Sequence, residues 1–279
     1  MTTPLENIMK SVGDVALGFD HGLGDFILFL PVFKELCRIT NRKIKIVSPS
    51  KRQFQLIDKS VTVMDSLSDG RFGYIYRILY PDSSRLNVPM EHFNEPAKPF
   101  LCSKYELGMP DFIWEPLKME HRNDPNSNKR VGVHFCGHTG MNTKFCPPDV
   151  ARRIWDEIKS KGYEPFEVHM EPSFSMEYNI GDRGNHYFDF VNESNSLRFG
   201  KPDLGRMMEA IGRCRFFIGI DSGPVYLASA MLGIDNVVGL YNQKRHDHFM
   251  PIRISMVSVS PYRKNSIKRV LNQKETIYR

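Results

Sequence analysis

The chain has 279 residues, of which 41% are hydrophobic and 25% charged, and its formal net charge is +6. This composition is ordinary for a globular protein with a substantial core, and the length suits one large domain or two modest ones. No apolar run approaches the ~20 residues that a membrane span requires, so no transmembrane segment is predicted.

The N-terminus and the cysteines predict an intracellular, cytoplasmic protein. The first residues lack the basic-then-apolar pattern of a signal peptide. The five cysteines form no CxxC pair, which favours reduced, mostly buried thiols over a disulfide framework or a metal site. These thiols are Cys37, Cys102, Cys136, Cys146 and Cys214.

The positive charge is concentrated in the C-terminal tail. Residues 261–279 contain six basic residues and one acid, so they carry five of the six net charges. Such a tail suits an anionic acceptor, a nucleic acid or a membrane surface, and it makes a peripheral membrane location a further expectation. The alternative is a solvated helix face, because Ile267, Val270 and Leu271 have the spacing of a docked helix.

The first β/α unit ends in a glycine turn that carries an aspartate. Residues 12–19 predict a strand, Gly22-Leu23-Gly24-Asp25 a turn, and the apolar run from Phe26 a helix. Glycines let a backbone or a ligand approach closely. A carboxylate at the helix start is also favoured by the helix dipole, so a structural role for Asp25 is the alternative. Residues 44–47 and 61–64 predict further strands, with a helix over 52–59.

The pattern becomes irregular from about residue 66 to residue 128. This stretch holds seven of the eighteen prolines, and long irregular connections are often lids or binding loops. Residues 122–129 are polar and turn-rich, which predicts a domain linker.

A second α/β unit follows the linker. Strands are predicted over 131–135, 165–170, 216–220 and 236–241, the last closing the sheet, and helices from Pro148 through Lys161, over 203–211 and after Gly223. Strands that alternate with helices imply parallel sheets covered on both faces. The loop over 136–145 contains Thr139, Thr143 and Lys144.

The most informative stretch is Asp221-Ser222-Gly223, a tight turn between a buried strand and an alanine-rich helix. Such a turn places backbone N–H groups and the positive end of a helix dipole at one point, which favours an anion. An ordinary connection with Asp or Ser as N-cap is the alternative. Asp25 would accept the proton of an acceptor hydroxyl, while Lys144 and the N–H groups after Asp221 would hold a leaving diphosphate.

Three motifs in this order resemble the heptosyltransferase family of GT-B glycosyltransferases, the glycosyltransferase family 9 type. They are Gly22-Leu23-Gly24-Asp25 with Pro31, Thr143-Lys144-Phe145-Cys146-Pro147-Pro148, and Asp221-Ser222-Gly223-Pro224 with Leu227 and Ala228. In that family a Gly-Asp supplies the base, a Lys-x-Trp-Pro motif contacts the donor phosphates, and an Asp-Ser/Thr-Gly turn lies at the nucleotide sugar. Cys146 stands where the family usually has Trp, and Tyr226 where it often has His.

The resemblance implies an α/β protein with two Rossmann-like domains whose parallel sheets face each other across a cleft. We expect a reduced acceptor-side domain over residues 1–125, a nucleotide-sugar domain over 126–260 and a basic tail or helix over 261–279. The implied activity is inverting, metal-independent transfer of a sugar from a nucleotide-diphosphate sugar, a co-substrate, to an acceptor hydroxyl; no cofactor or metal is expected. The implied catalytic residues are Asp25, Lys144 and Asp221, and the donor-binding residues are Gly24, Thr139, Thr143, Lys144, Asp221, Ser222, Gly223 and Tyr226.

Two other functions remain open at this point. A nucleotide-sugar epimerase or hydrolase would form product from the donor alone, and a non-catalytic module would bind the donor without turnover. The acceptor is also open between a phosphorylated glycan, a lipid-linked saccharide and a modified DNA base. His134 and His138 lack a Cys or carboxylate at a metal-binding spacing, so a structural role in the strand is favoured for His134.

Overall fold

The protein consists of two compact units, residues 1–117 and 118–279. The computed structural model describes residues 2–20, 22–49, 51–78, 106–110, 115, 117–119, 129–137, 145–169, 188–197, 203–242 and 254–277. No helix among these residues combines the length and the apolar character that a membrane crossing needs.

The first unit is built on a four-stranded parallel sheet in the order β3-β2-β1-β4. Its elements are α1 (Pro4–Lys10), β1 (Asp14–Phe19), α2 (Leu23–Thr40), β2 (Ile44–Val47), α3 (Lys51–Ile57), β3 (Val63–Met64) and β4 (Phe72–Ile78). Helix α2 buries its apolar side chains almost completely. It ends at Asn41, whose left-handed backbone lets its N–H bond the carbonyls of the last turn, the common geometry of a helix C-terminus.

The second unit is built on a five-stranded parallel sheet in the order β6-β5-β7-β8-β9. Its elements are β5 (Arg130–His134), α4 (Pro148–Ser160), β6 (Glu164–Glu167), α5 (Leu204–Gly212), β7 (Phe216–Ile220), α6 (Gly223–Leu232), β8 (Val237–Asn242), β9 (Ser255–Ser260) and α7 (Ser266–Ile277). All five residues of β7 are buried, as expected for a central parallel strand.

Helix α4 packs one apolar face against this sheet. Val150, Ile154 and Ile158 recur at helical spacing and are buried in one core cluster, which also contains Trp155 and Cys146. Trp155 is therefore a core residue. A pair of prolines opens the helix, where the missing N–H has no helical partner to lose.

The strand orders place a topological switch point in each sheet. In the first sheet, β2 and β4 lie on opposite sides of β1. In the second sheet, β6 and β7 lie on opposite sides of β5. Ligands of open α/β sheets bind at the carboxyl ends of the strands at such points. The glycine turn after β1 and the turns after β5 and β7 all begin there.

The C-terminal helix α7 docks on the second unit. Ile267 and Leu271 are fully buried in the core cluster, and Val270 packs at its border. The carboxylate of Glu157 on α4 accepts the backbone N–H groups of residues 265, 267 and 268 at 2.8, 3.0 and 3.2 Å. The docked helix predicted from the spacing of Ile267, Val270 and Leu271 is therefore confirmed.

The α/β class with two parallel sheets is confirmed, but three elements differ from the sequence predictions. The strand over 236–241 does not close the second sheet, because β9 pairs with it as a further parallel strand. Strand β4 lies within the stretch predicted to be irregular. Helix α1 was not predicted at all; a capping box of Thr3 and Glu6 begins it.

Candidate active site

Asp25 lies at the start of α2, directly after β1. It is the third residue of the helix, half-buried, with Gly22 as the N-cap. A Cβ added to Gly22 would lie 3.5 Å from the Oδ2 atom of Asp25, so the carboxylate lies over the glycine turn. Gly24 is buried in the same turn. The structure thus places Asp25 at the switch point of the first sheet, where a base could meet an acceptor.

The second unit carries the predicted donor-binding turns on adjacent strands. Strands β5 and β7 pair in parallel, with His134 opposite Gly219. The loop after β5 begins and ends at an antiparallel bridge between Cys136 and Phe145, and Cys146 N–H donates to the Phe135 carbonyl at 2.8 Å. Both ends of the loop are therefore fixed beside the turn that follows β7.

The Asp221-Ser222-Gly223 turn joins β7 to α6 as the sequence predicts. Ser222 is the N-cap, but its hydroxyl donates to the Ile220 carbonyl at 3.2 Å rather than capping the helix. Ser222 therefore occupies the N-cap position that the alternative gave to Asp or Ser, but its side chain makes no capping hydrogen bond. Because the Ser222 side chain does not cap α6, the positive end of the helix dipole favours a phosphate there.

Tyr226 orients Asp221. Its hydroxyl donates to the Oδ1 atom of Asp221 at 2.6 Å, a short distance typical of a hydrogen bond to a carboxylate. Tyr226 is buried in α6, one turn after the N-terminus, and Asp221 is half-buried at the sheet edge. The predicted donor-binding residues Asp221, Ser222, Gly223 and Tyr226 are thus brought together.

Tight packing fixes the backbone of this turn. A Cβ added to Gly219 would lie 2.8 Å from Val225 Cγ2 and 3.1 Å from His134 Cβ. Real Cβ atoms do not approach other atoms so closely, so only glycine fits between β5 and the first turn of α6. This close approach sets the height of the Asp221 turn above the sheet.

Two histidines also lie at this edge, and only His134 of the two was considered from the sequence. The rings of His134 and His169 stack with centroids 5.6 Å apart, and both residues are buried. His134 Nδ1 lies 2.8 Å from the Val168 carbonyl, which can only accept, so Nδ1 carries a proton. His134 was predicted to be structural; the signal that pairs it with His169 is a histidine near the end of each of two neighbouring strands.

The first sheet has a charged pair that sequence reasoning also missed. Arg77, on β4, lies 3.6 Å from Asp20, which follows β1, and both side chains are largely exposed. They lie at the switch point that also begins the Asp25 turn. The pair was missed because β4 was not predicted.

Several predicted residues lie outside the described part of the chain. They include Thr139, Thr143 and Lys144 of the loop after β5, and Cys102 and His138. Their assigned roles stay predictions. Lys144 directly precedes Phe145 in the sequence, and the β-bridge between Phe145 and Cys136 is described above.

The described cysteines agree with the prediction of reduced, mostly buried thiols. Cys136, Cys146 and Cys214 are buried and Cys37 is half-buried, all as free thiols. Burial raises the pKa of the Cys214 thiol to about 12 and also raises the pKa of Cys146. Neither is therefore a nucleophile at neutral pH. In the ranges that the structure describes, no three His, Cys, Asp or Glu side chains cluster as a metal site would.

Residues 192–278 match the family model of glycosyltransferase family 9 (heptosyltransferase). The predicted resemblance to this family is confirmed. The matched residues include the Asp221 turn, α6 and α7, whereas Asp25 and Lys144 precede them. No curated protein sequence matches the chain.

Solved glycosyltransferase structures share the fold along nearly the whole chain. A family 9 glycosyl transferase from Veillonella parvula has a TM-score of 0.63 and 15% identity over 95% of this chain and 96% of its own. The iron-containing dodecameric glycosyltransferase TibC from enterotoxigenic E. coli has a TM-score of 0.65 and 16% identity, over 97% and 78%. E. coli heptosyltransferase WaaC with ADP has a TM-score of 0.60 and 12% identity, over 94% and 99%.

The two kinds of similarity together support the predicted glycosyltransferase enzyme. The fold is that of the family 9 structures, and the family match falls on the unit that carries the Asp221 turn. In another structure TibC is in complex with ADP-D-β-D-heptose.

Proposed function

We propose that this protein is an inverting glycosyltransferase that moves a sugar from a nucleotide-diphosphate sugar to an acceptor hydroxyl. One observation carries the proposal. The turn Asp221-Ser222-Gly223 and the bridged loop 136–145 leave adjacent parallel strands at the switch point of the second sheet. The turn lies within the residues that match family 9, and ADP-containing ligands are bound by two proteins of the same fold.

The second unit would hold the donor. Pro224 has no N–H and the Val225 N–H donates to the Ser222 carbonyl, so the N–H groups of Ser222 and Gly223 together with the helix dipole would favour the diphosphate. Lys144 would add a positive charge from the loop after β5. The carboxylate of Asp221, which Tyr226 holds on one oxygen, would lie beside the hydroxyl groups of the donor. No metal is needed in this proposal, because a lysine and a helix N-terminus neutralise the developing charge.

Asp25 would act as the general base. As the acceptor oxygen attacks the anomeric carbon, its proton passes to the Asp25 carboxylate. The bond between that carbon and the diphosphate oxygen breaks, and the nucleoside diphosphate leaves with the electron pair. Because attack and departure occur on opposite faces, the configuration at the carbon inverts.

Replacement of the base tests the proposal. Asp25→Asn keeps the shape of the side chain but cannot accept the proton, so we expect transfer to fall by about 10²–10⁴-fold, with donor affinity unchanged. Asp14→Asn is a control, since Asp14 lies at the opposite end of β1 in an exposed pair with Lys45. Transfer is measured against phosphorylated glycans, lipid-linked saccharides and hydroxylated DNA bases, and donor affinity by calorimetry. Full activity of Asp25→Asn would remove Asp25 from the mechanism.

A donor-only reaction separates the alternatives. Rapid product formation without acceptor would favour an epimerase or hydrolase, and tight donor binding without any turnover would favour a binding module. A transfer rate that persists in chelator supports metal independence, whereas loss of transfer restored by iron would contradict it.

A further inference from the structure

We propose that a basic cluster at the N-terminal end of α7 binds the anionic headgroups of a lipid bilayer. The cluster consists of Arg263, Lys264, Lys268 and Arg269. Arg263, Lys264 and Arg269 are exposed and Lys268 is half-buried. The inference does not depend on the glycosyl transfer proposed above.

The cluster is held on a rigid support. Glu157 binds three backbone N–H groups around the helix start, and Ile267 and Leu271 are fully buried below it. At the other end of α7, Glu275 accepts hydrogen bonds from Lys161 at 3.1 Å and from the Tyr163 hydroxyl. The four cations therefore form a fixed surface and not a loose tail.

Nothing in the described residues neutralises these charges. None of the four side chains forms an ion pair or hydrogen bond with another described residue. The acids that α7 touches are already engaged, since Glu157 accepts backbone groups and Glu275 binds Lys161. The exposed face farther along the helix is neutral, with Asn272, Gln273 and Thr276.

The placement of the charges does not serve helix stability. Cations are favourable near the C-terminus of a helix and unfavourable near the N-terminus, where the dipole is positive. The first turn of α7 contains no acid, and the cluster surrounds that turn. A surface partner of opposite charge explains a placement that the helix itself does not favour.

A lipid surface fits this cluster better than a nucleic acid does. Four to eight basic residues on an amphipathic helix are typical of anionic-lipid binding, whereas single-stranded nucleic acids are held by exposed aromatic rings among the cations. The aromatic residue next to the cluster, Tyr262, packs against the core. Duplex DNA binding commonly uses about 6–10 phosphate contacts, more than four side chains supply. Among the described residues of the second unit, no large hydrophobic side chain is exposed, so binding would be electrostatic and without insertion.

Vesicle binding of the full chain tests the inference. Protein is sedimented with phosphatidylcholine vesicles and with vesicles in which about a third of the lipid is anionic phosphatidylglycerol. We expect binding to the anionic vesicles only, lost at high salt. Lys264→Gln with Arg269→Gln should weaken it about 30-fold, at about fivefold for each basic side chain.

A matched double variant controls for total charge. Lys59→Gln with Arg71→Gln removes two exposed cations of the first unit and should bind like the unaltered chain. Equal weakening in both variants, or no binding to anionic vesicles, would overturn the inference. So would tighter binding of duplex DNA than of vesicles at the same salt, since the partner would then be a nucleic acid. Thermal unfolding of each variant establishes that it is folded.

Discussion

Tyr226 stands where the family that the sequence resembles often has His, and its hydroxyl contacts Asp221. The hydroxyl fixes one carboxylate oxygen at 2.6 Å and so determines which way the other oxygen is presented. A side chain one turn into α6 therefore controls the group at the strand end.

Tyr226→Phe removes this hydrogen bond and keeps the ring. Hydrogen bonds to charged groups contribute about 1.5–3 kcal/mol, so we expect donor affinity to fall roughly tenfold or more while the protein stays folded. Calorimetric titration with the nucleotide sugar measures the change. Tyr74→Phe, in the first unit, is the matched control. An unchanged donor affinity in Tyr226→Phe would mean that Asp221 does not need this partner.

At the scale of elements, one carboxylate caps the start of α7. Glu157 is buried and accepts three backbone N–H groups, of residues 265, 267 and 268. These groups include donors that a helix start otherwise leaves to water or a cap. Glu157 thus caps a helix from another helix more than a hundred residues earlier in the chain.

Glu157→Gln should loosen this attachment. An amide offers one accepting oxygen and turns its NH₂ toward backbone donors, so buried N–H groups lose their partners, at about 1–3 kcal/mol each. We expect the free energy of unfolding to fall by about 2–3 kcal/mol, measured by urea denaturation. Asp156→Asn changes the neighbouring exposed acid and should have little effect. Equal losses from both substitutions would contradict a special role for Glu157.

The periodicity of apolar residues predicted most helices and strands. There is a physical reason why it missed the others. Strand β7 and helix α6 were predictable because an apolar run stops abruptly at Asp221. Strand β4 alternates half-buried and exposed residues and contains Gly73, so it lacks the continuous apolar run of a buried strand. Strand β9 contains three serines in six residues. Both are edge strands, on which fewer apolar side chains are needed.

The candidate site was predictable where chemistry is local in sequence. The Asp221 turn and the position of Asp25 at a helix start follow from neighbouring residues. The stacked His134 and His169 arise from the pairing of β5 with β6, and the Arg77–Asp20 pair from the pairing of β1 with β4. Such contacts depend on strand order, which no local pattern specifies.

At the scale of the whole molecule, the proposed mechanism uses residues of both units. The proposed base lies in the first unit, and the turn proposed to bind the donor lies in the second. Each sheet has its own switch point, so a ligand of one unit need not order the other.

Donor binding should therefore stabilise the second unit first. At a concentration of a hundred times Kd, a ligand stabilises its folded site by about 2.7 kcal/mol. We expect nucleotide sugar to slow amide hydrogen exchange in β5, β7 and the start of α6, with little change in β1–β4. Mass spectrometry of exchange with and without donor measures this. Slowed exchange confined to the first unit would contradict the assignment of the donor to the second.

The bridge between Cys136 and Phe145 has a consequence for how this enzyme could be altered. The bridge holds the residues on either side of the segment 137–144 next to each other. The two ends of the loop therefore stay together whatever sequence lies between them. Doubling a loop raises its closure free energy by only about 0.6 kcal/mol. A segment of another sequence or length that keeps Lys144 should therefore be tolerated by the scaffold.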